Sequence, residues 1–398
     1  MASGLAPSSP ARYIRPVTRF YLDHNATSPL RSAARAKMLD ALRASGNPSS
    51  IHAEGRAARA LVEAAREKVA ALVGGRARNV IFTSGATEAL NLALSAHWRG
   101  PQGAPAKLLL AATEHVAALE GHGFGSEAEI LPVDASGILH LGALDVALAS
   151  AGGPVLVCVQ AANNETGVLQ PLAATAERVH AAGGLLVCDA VQAAGRIPCT
   201  FETTGADMLV VSSHKIGGPM GAGALVLRDP SLHCDRPLIR GGGQERGFRA
   251  GTENVAAIAG FGAAAEDALG HQDEEAARLS ALRDRLEAEL LRLAPAATIF
   301  GAAARRLPNT SAFSIPGLSA ETALMAFDLA GLALSSGSAC SSGKVKRSHV
   351  LAAMGVAPEV AGGALRMSLG WTSTAEDVAA FTVALGDILA RIGRKTAV

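Results

Sequence analysis

The chain has 398 residues, 49% hydrophobic and 18% charged, with 36 basic against 35 acidic side chains and a net charge of +1. That length and composition suit a compact protein of about two domains and exclude wholesale disorder. The even charge balance gives no reason to expect nucleic acid or an anionic membrane as a direct partner. Met1–Arg19 holds Pro7, Pro10 and Pro16 but no apolar stretch of signal-peptide length, and no window reaches the ~18 apolar residues of a membrane span. Cys158, Cys188, Cys199, Cys234 and Cys340 form an odd set without a CxxC pair, which argues against a disulfide framework or a structural metal site. A cytoplasmic location is expected.

Residues 1–19 read as an irregular arm, and Tyr21–Thr27 as a short extended piece. Helical spacing follows over about Ser32–Ala44 and Ala53–Val73, the latter stopped by Gly74-Gly75. Apolar runs near Val80–Phe82, Leu108–Leu110, Val155–Val159, Leu185–Cys188, Leu209–Val211 and Ala224–Leu227 then alternate with helix-like stretches. Continuous apolar strands between helices predict a mostly parallel sheet covered on both faces, an α/β fold. After about Gly262 a smaller α+β unit is expected, with helices at Glu274–Leu293, Ala320–Ala330 and Glu376–Ile392 and strands near Ser311–Ile315 and Leu365–Ser368.

Open parallel sheets bind ligands at the carboxyl ends of their strands. Polar clusters fall there: Thr83–Glu88, Thr113-Glu114-His115, Asn163–Gly167, Asp189-Ala190-Val191-Gln192 and Ser212-Ser213-His214-Lys215. Lys215 sits between a buried strand and the glycines 217, 218, 221 and 223, where desolvation favours a neutral amine able to form a Schiff base; a solvated loop lysine is the alternative. Ser84–Thr87 opens a helix and suits a phosphate, or is a plain N-cap. Asp189, 26 residues before Lys215, needs a cationic partner such as a pyridinium nitrogen, or else is an N-cap or a structural ion pair. His115 could stack on a flat ring, although a lone histidine is more often structural. Asn164 and Gln192 could bond ring substituents. A phosphate cradle, an acid for a ring nitrogen and a Schiff-base lysine together point to pyridoxal 5′-phosphate.

From Tyr21 to about Gly370 the chain resembles the cysteine desulfurases, pyridoxal-phosphate enzymes of the class V aminotransferase-like group. The resemblance is carried by Tyr21–Thr27, Gly46–His52, Thr83–Glu88, Thr113–His115, Asn163–Gly167, Asp189–Gln192, Ser212–Lys215, Arg249–Asn254 and, most specifically, Ser335-Ser336-Gly337-Ser338-Ala339-Cys340. It implies a fold type I, aminotransferase-like architecture with a large, mostly parallel, seven-stranded sheet. It also implies a large domain over 20–262 and a small domain from 1–19 and 263–398, which carries a catalytic-cysteine loop at about 335–348.

The resemblance implies the following roles. Lys215 would hold the cofactor and Asp189 its ring nitrogen, while His115 would stack on the ring and shuttle protons. Gln192 would bond the phenolic oxygen, and Asn164 would orient cofactor and substrate. Ala86, Thr87, Ser212 and His214 would bind the phosphate, with Thr252 reaching across a homodimer interface. Arg366 would clamp the substrate carboxylate, for which its planar fork is suited.

Cys340 lies among small polar residues, which predicts an exposed and mobile thiol unlike Cys158 and Cys188 in their apolar strands; a chance loop thiol is the alternative. The expected reaction converts L-cysteine to L-alanine and leaves a persulfide on Cys340, from which sulfur serves iron–sulfur scaffolds or tRNA-thiolation enzymes. Cys340 could then contact an iron–sulfur cluster transiently. The stretch to Gly355 matches the family's long-loop form. The chain departs from the usual pattern at Lys344-Val345-Lys346-Arg347, a basic cluster expected to steer acidic acceptors, and at Gly217 and Met220, where tyrosine and lysine are usual. A selenocysteine lyase or a class V transaminase on the same scaffold is the alternative, and a transaminase would not need Cys340.

Overall fold

The computed structural model of the chain describes residues 18–336 and 347–396. Cys340, Lys344 and Lys346 lie outside the described residues, as do residues 1–17 of the N-terminal arm.

The apolar runs become strands of a seven-stranded sheet. Its order is Val80–Thr83, Gly223–Leu227, Met208–Ser212, Leu185–Asp189, Val155–Gln160, Lys107–Ala111 and Ala128–Leu131. Gly223–Leu227 runs against both of its neighbours, and the remaining pairings are parallel. Side chains alternate across a strand, so Leu109, Val157, Leu186 and Leu209 enter one core while Leu108, Leu156, Val187 and Val210 enter the other. Burial on both faces is the reason these strands lack polar alternation. Ala128–Leu131 has no such run: it is an edge strand, with Glu129 and an exposed Ile130, and apolar content alone does not reveal it.

One face is covered in part by the helices Ser32–Arg43, Ala53–Leu72 and Val255–Gly270. The last is rich in alanine and glycine because its neighbours come close. A Cβ at Gly262 would lie 2.5 Å from the Ala65 Cα, and one at Gly260 would lie 2.5 Å from the Met38 Cγ.

A second sheet of four antiparallel strands has the order Thr298–Ile299, Thr310–Ser314, Leu365–Ser368, Ser335–Ser336. Helices Gln272–Leu293, Ala320–Leu329 and Ala375–Thr396 pack with it around a core of its own. At the centre Phe381 stacks on Phe327 at 5.6 Å between ring centroids and meets Phe313 edge-on at 6.1 Å. Among the described residues no helix is long and apolar enough to cross a membrane.

Residues 20–31 form a strap between the two sheets. Phe20–Tyr21 pairs in parallel with Leu332–Ala333, and Asp23 bridges to Ser368 of the smaller sheet. Further along, the Ser28 N–H donates to the His214 carbonyl (2.9 Å) and the Arg31 N–H to the Gly217 carbonyl (2.8 Å). The strap therefore ends on the turn that holds Lys215.

Phe381 is fully buried and touches both other rings of its core, so Phe381→Ala leaves a cavity as well as losing transfer energy. The expected loss is about 3–5 kcal/mol of stability, read as a lower midpoint of thermal or urea unfolding.

Candidate active site

Parallel strands in register end at one edge, and the polar clusters meet there. Gln160 and Asp189 end their strands and pair with each other, and Asp189 also pairs with Val210, two residues before the end of Met208–Ser212. Ser213–Lys215 is a single turn of 3₁₀ helix that starts directly after the strand Met208–Ser212. The sheet thus delivers Lys215, Asp189 and His115 to one cleft without help from distant loops.

The Lys215 Nζ donates to the backbone carbonyls of Asn25 and Ala26, the latter at 2.9 Å. Carbonyls solvate an ammonium poorly compared with water. Burial first, then the cations Arg196 and Arg366, lower its pKa from 10.5 to about 7, against the pull of Asp23 and Asp189. A substantial neutral fraction therefore exists at pH 7. The groups that act on this amine are two other cations and two carboxylates, so with Lys215 protonated the cleft carries one surplus positive charge.

Asp189 is buried, and one of its oxygens accepts the Val191 N–H at 3.0 Å. Burial raises its pKa despite that bond and the nearby His115 and Lys215. No cation pairs with it directly among the described residues. His115 is the N-cap of the short helix Val116–Leu119: its Nδ1 accepts the Ala117 N–H (3.1 Å), which leaves the proton on Nε2. Desolvation, Lys215 and His349 lower its pKa, while Asp189 opposes them. It is a neutral ring with one free N–H edge.

Arg366 reaches the same cleft from the smaller sheet. One Nη donates to the Asp23 carboxylate at 2.7 Å and the other to the Asn164 carbonyl at 3.0 Å. Its Nε is buried and has no partner among the described residues, an orphan donor of the kind a ligand satisfies. Asn164 holds Arg366 through its backbone and has no side-chain hydrogen bond among the described residues. The neighbouring Asn163 does the structural work: its Oδ1 accepts the N–H groups of Glu165 and Thr166, both at 2.9 Å. Gln192 donates from Nε2 to the Asn25 carbonyl (3.1 Å) and accepts at Oε1 from Arg196.

The expected phosphate residues border the cleft on its other side. Ala86 and Thr87 open the helix Ala86–Ala93, and Gly223 of the neighbouring strand packs closely against Gly85 just before it. Ser212 is buried and its Oγ has no partner among the described residues. The His214 Nδ1 lies 3.2 Å from the Thr27 Oγ1; burial, Lys215 and Arg196 lower its pKa to about 4, so it is neutral. Thr252 lies on an exposed loop, and no hydrogen bond ties its side chain to this cluster among the described residues.

Several participants have no individual signal in the sequence. Asn25 binds Ser368, Asn164, Thr310, Asn309, Gln192, Arg196 and Lys215, yet it reads only as one letter of a turn-prone stretch. Glu114 is fully buried, accepts the Gln160 N–H at 2.8 Å, and is pushed well above the usual carboxylate range by burial, with nearby Asp189 adding to the effect. Gly217 has φ +83°, and a Cβ there would lie 2.6 Å from the Arg31 Cγ. Arg31 itself is locked by Asp267 (2.8 Å) and Glu275 (2.7 Å), so Gly217 accommodates a fixed neighbour. Met220 is exposed. A surface cavity of about 690 Å³ is lined in part by Gln102, Asp145, Pro154, Arg178 and Gly183. It opens at the amino ends of the strands, away from Lys215, and gathers no comparable set of groups.

The family model Aminotransferase class-V matches residues 20–381. A cysteine desulfurase of Cereibacter sphaeroides is 44% identical over 367 residues, which cover 90% of this chain and 92% of that protein. An IscS-like cysteine desulfurase of Mycobacterium tuberculosis is 40% identical, with 94% and 97% covered. The X-ray structure of a NifS-like protein from Rickettsia africae superposes with a TM-score of 0.85 at 34% identity, covering 94% of this chain and 99% of that one. With the strand-end lysine and acid in place and the match running through both sheets, the chain belongs to the cysteine desulfurase family of class-V aminotransferases.

Proposed function

We propose that the protein converts L-cysteine to L-alanine and takes the sulfur as a persulfide on Cys340. The observation that carries this reading is the Lys215 amine, lowered to about 7 at the strand ends, in one cleft with buried Asp189 and with Arg366, whose Nε lacks a partner.

The cleft fits pyridoxal 5′-phosphate. Lys215 is the amine that would carry it, and Asp189 is a buried acid without a paired cation. The orphan Ser212 Oγ, neutral His214 and the helix start at Ala86-Thr87 would hold a phosphate; Thr252 would do so from a partner subunit. An anionic group would also offset the surplus positive charge. When bound, the cofactor supplies an electron sink for a carbanion at the substrate Cα.

The protein's own groups do the rest. Arg366 binds the substrate carboxylate through its free N–H groups, while Asp23 and the Asn164 carbonyl hold the guanidinium from behind. The free Lys215 amine takes the Cα proton and returns a proton to the product. His115, neutral and with its proton on Nε2, would lie against the cofactor and offer that N–H as a hydrogen-bond donor. The Cys340 thiolate attacks the substrate sulfur: the S–S bond forms, the C–S bond breaks, and its electron pair stays with the carbon fragment, which is protonated to alanine. Cysteine and the enzyme thiol become alanine and the enzyme persulfide, with no outside oxidant.

The described flanks of the Cys340 segment both end at this site. Ser335 pairs with Arg366 across the smaller sheet. On the other flank the Ser348 Oγ donates to buried Glu165 at 2.6 Å and the His349 Nε2 donates to the Glu114 carbonyl at 2.9 Å.

The protein acts as a homodimer in the cytoplasm, where its four described cysteines, all free, stay reduced. It passes sulfur to acceptors such as an iron–sulfur scaffold or a tRNA-thiolation enzyme, guided by Lys344, Lys346 and Arg347. It comprises two domains, a large one over 20–262 and a small one from 1–19 and 263–398; that Val255–Gly270 packs on Ser32–Arg43 and Ala53–Leu72 whereas Gln272–Leu293 packs on Ala375–Thr396 supports a division in this region.

Three outcomes test the reading. Purified wild type with L-cysteine and a thiol reductant forms alanine and sulfide, whereas Cys340→Ala keeps the bound-cofactor absorbance and forms neither; equal activity in the two proteins removes Cys340 from the reaction. Alanine formation declines on the acid side through about pH 7, because protonation of Lys215 below its lowered pKa removes the base; a rate flat from pH 6 to 8 contradicts that role. Arg366→Lys replaces a planar fork with a point charge and raises the KM for cysteine by about tenfold or more, since one charge-assisted hydrogen bond is worth roughly 1.5–3 kcal/mol. An unchanged KM places the carboxylate elsewhere.

A further inference from the structure

Arg196, like Lys215, is a cation of the cleft that no carboxylate pairs with among the described residues. It follows the Asp189–Gln192 turn, and every acceptor it finds is a neutral oxygen. One Nη donates to the Asn25 Oδ1 (2.9 Å), the Gln192 carbonyl (3.1 Å) and the Gln192 Oε1; the other donates to the His24 carbonyl (3.1 Å) and lies 3.4 Å from the Lys215 carbonyl. Desolvation and Arg366 lower its pKa to about 9, which leaves it charged at neutral pH. An enclosed cation without a counter-charge is costly and calls for a reason.

Its geometry supplies one. A side-chain amide has an acceptor end and a donor end that exchange places if it turns over. The guanidinium occupies the Gln192 Oε1, so Nε2 is the end left to act. One Nε2 hydrogen goes to the Asn25 carbonyl, and the second has no acceptor among the described residues. The same guanidinium holds Asn25, whose carbonyl also receives Lys215.

We propose that Arg196 is a positioning residue for the reaction: it fixes the Gln192 amide with Nε2 as the donor offered to the anionic phenolic oxygen of the cofactor, and it sets an unneutralised positive charge behind the Lys215 nitrogen. This rests on the cofactor reading given above. The charge disfavours the protonated form of the Lys215 nitrogen, and removing it favours that form. The other groups that face Lys215 are Asp189 from the strand Leu185–Asp189, Arg366 from the smaller sheet, Asp23 from the strap, His115, and His214 of its own turn.

The test uses protein loaded with pyridoxal 5′-phosphate and no substrate. The visible absorbance of the bound cofactor, which titrates with the Lys215 nitrogen, is followed against pH in wild type, Arg196→Met and Arg196→Lys. Arg196→Met moves the midpoint up by roughly one pH unit, as expected for losing a nearby like charge, and Arg196→Lys restores it to within about a third of a unit. If Arg196→Met fails to fold, the neutral and polar Arg196→Gln takes its place with the same expectation. A neutral variant that titrates with the wild-type midpoint, or a lysine variant that shifts as far as the neutral one, overturns the proposal. A wild type that takes up no cofactor, or a Lys215→Ala variant with an identical band and titration, overturns the cofactor reading and the proposal with it.

Discussion

The site depends on a cleft dry enough to make Lys215 a weak base and too positive to be complete by itself. Lys215, Arg196 and Arg366 face Asp23 and Asp189, and Asp23 is already spent on Arg366. The surrounding histidines do not add charge: His24 is driven down to about 3 by burial and the nearby arginines, and His214 to about 4. Burial raises the pKa of Glu114, with nearby Asp189 adding to the effect, which works against a compensating negative charge there. A site of this kind is built around an anion. Both a phosphate and an amino-acid carboxylate answer that requirement, which is why the electrostatics and the family relationship agree.

The strap over residues 20–31 is what makes two sheets into one site. Arg366 belongs to the smaller sheet and Lys215 to the larger, and neither sheet alone sets the distance between them. Asn25 does so by bonding Ser368, Thr310 and Asn309 of the smaller unit while its carbonyl receives Gln192 and Lys215 of the larger. Seven connections through one small amide residue explain why a stretch without hydrophobic periodicity is ordered. Polar networks of this density hold geometry well when every member is satisfied.

What could be read in advance followed from burial. Strands buried on both faces announce themselves as apolar runs, and the polar residues that interrupt them at one end mark the cleft; Asp189, His115 and Lys215 were legible for that reason. Edge strand Ala128–Leu131 was not, because half exposure removes the run. Neither were Arg196, Glu114 and Asn25, since their roles depend on which neutral oxygen or empty space lies opposite, and that is a property of the assembled fold. The choice between Asn163 and Asn164 was likewise closed to pattern: adjacent identical residues differ only in which one the turn consumes. Cys340 stands out in the sequence for its small polar neighbours, and it lies outside the residues the structure describes.

Gly217 departs from the residue usual in related chains, and its surroundings say what the departure entails. The backbone there is left-handed and the space above it belongs to Arg31, which is itself pinned by Asp267 and Glu275 and lies 5.5 Å from the Trp371 ring centroid. A side chain at 217 requires both a different turn and a displaced arginine. The two positions therefore share one volume: in this chain a bulky residue at 217 and a long, anchored residue at 31 exclude each other, so a side chain added at 217 is accommodated only if position 31 gives way as well.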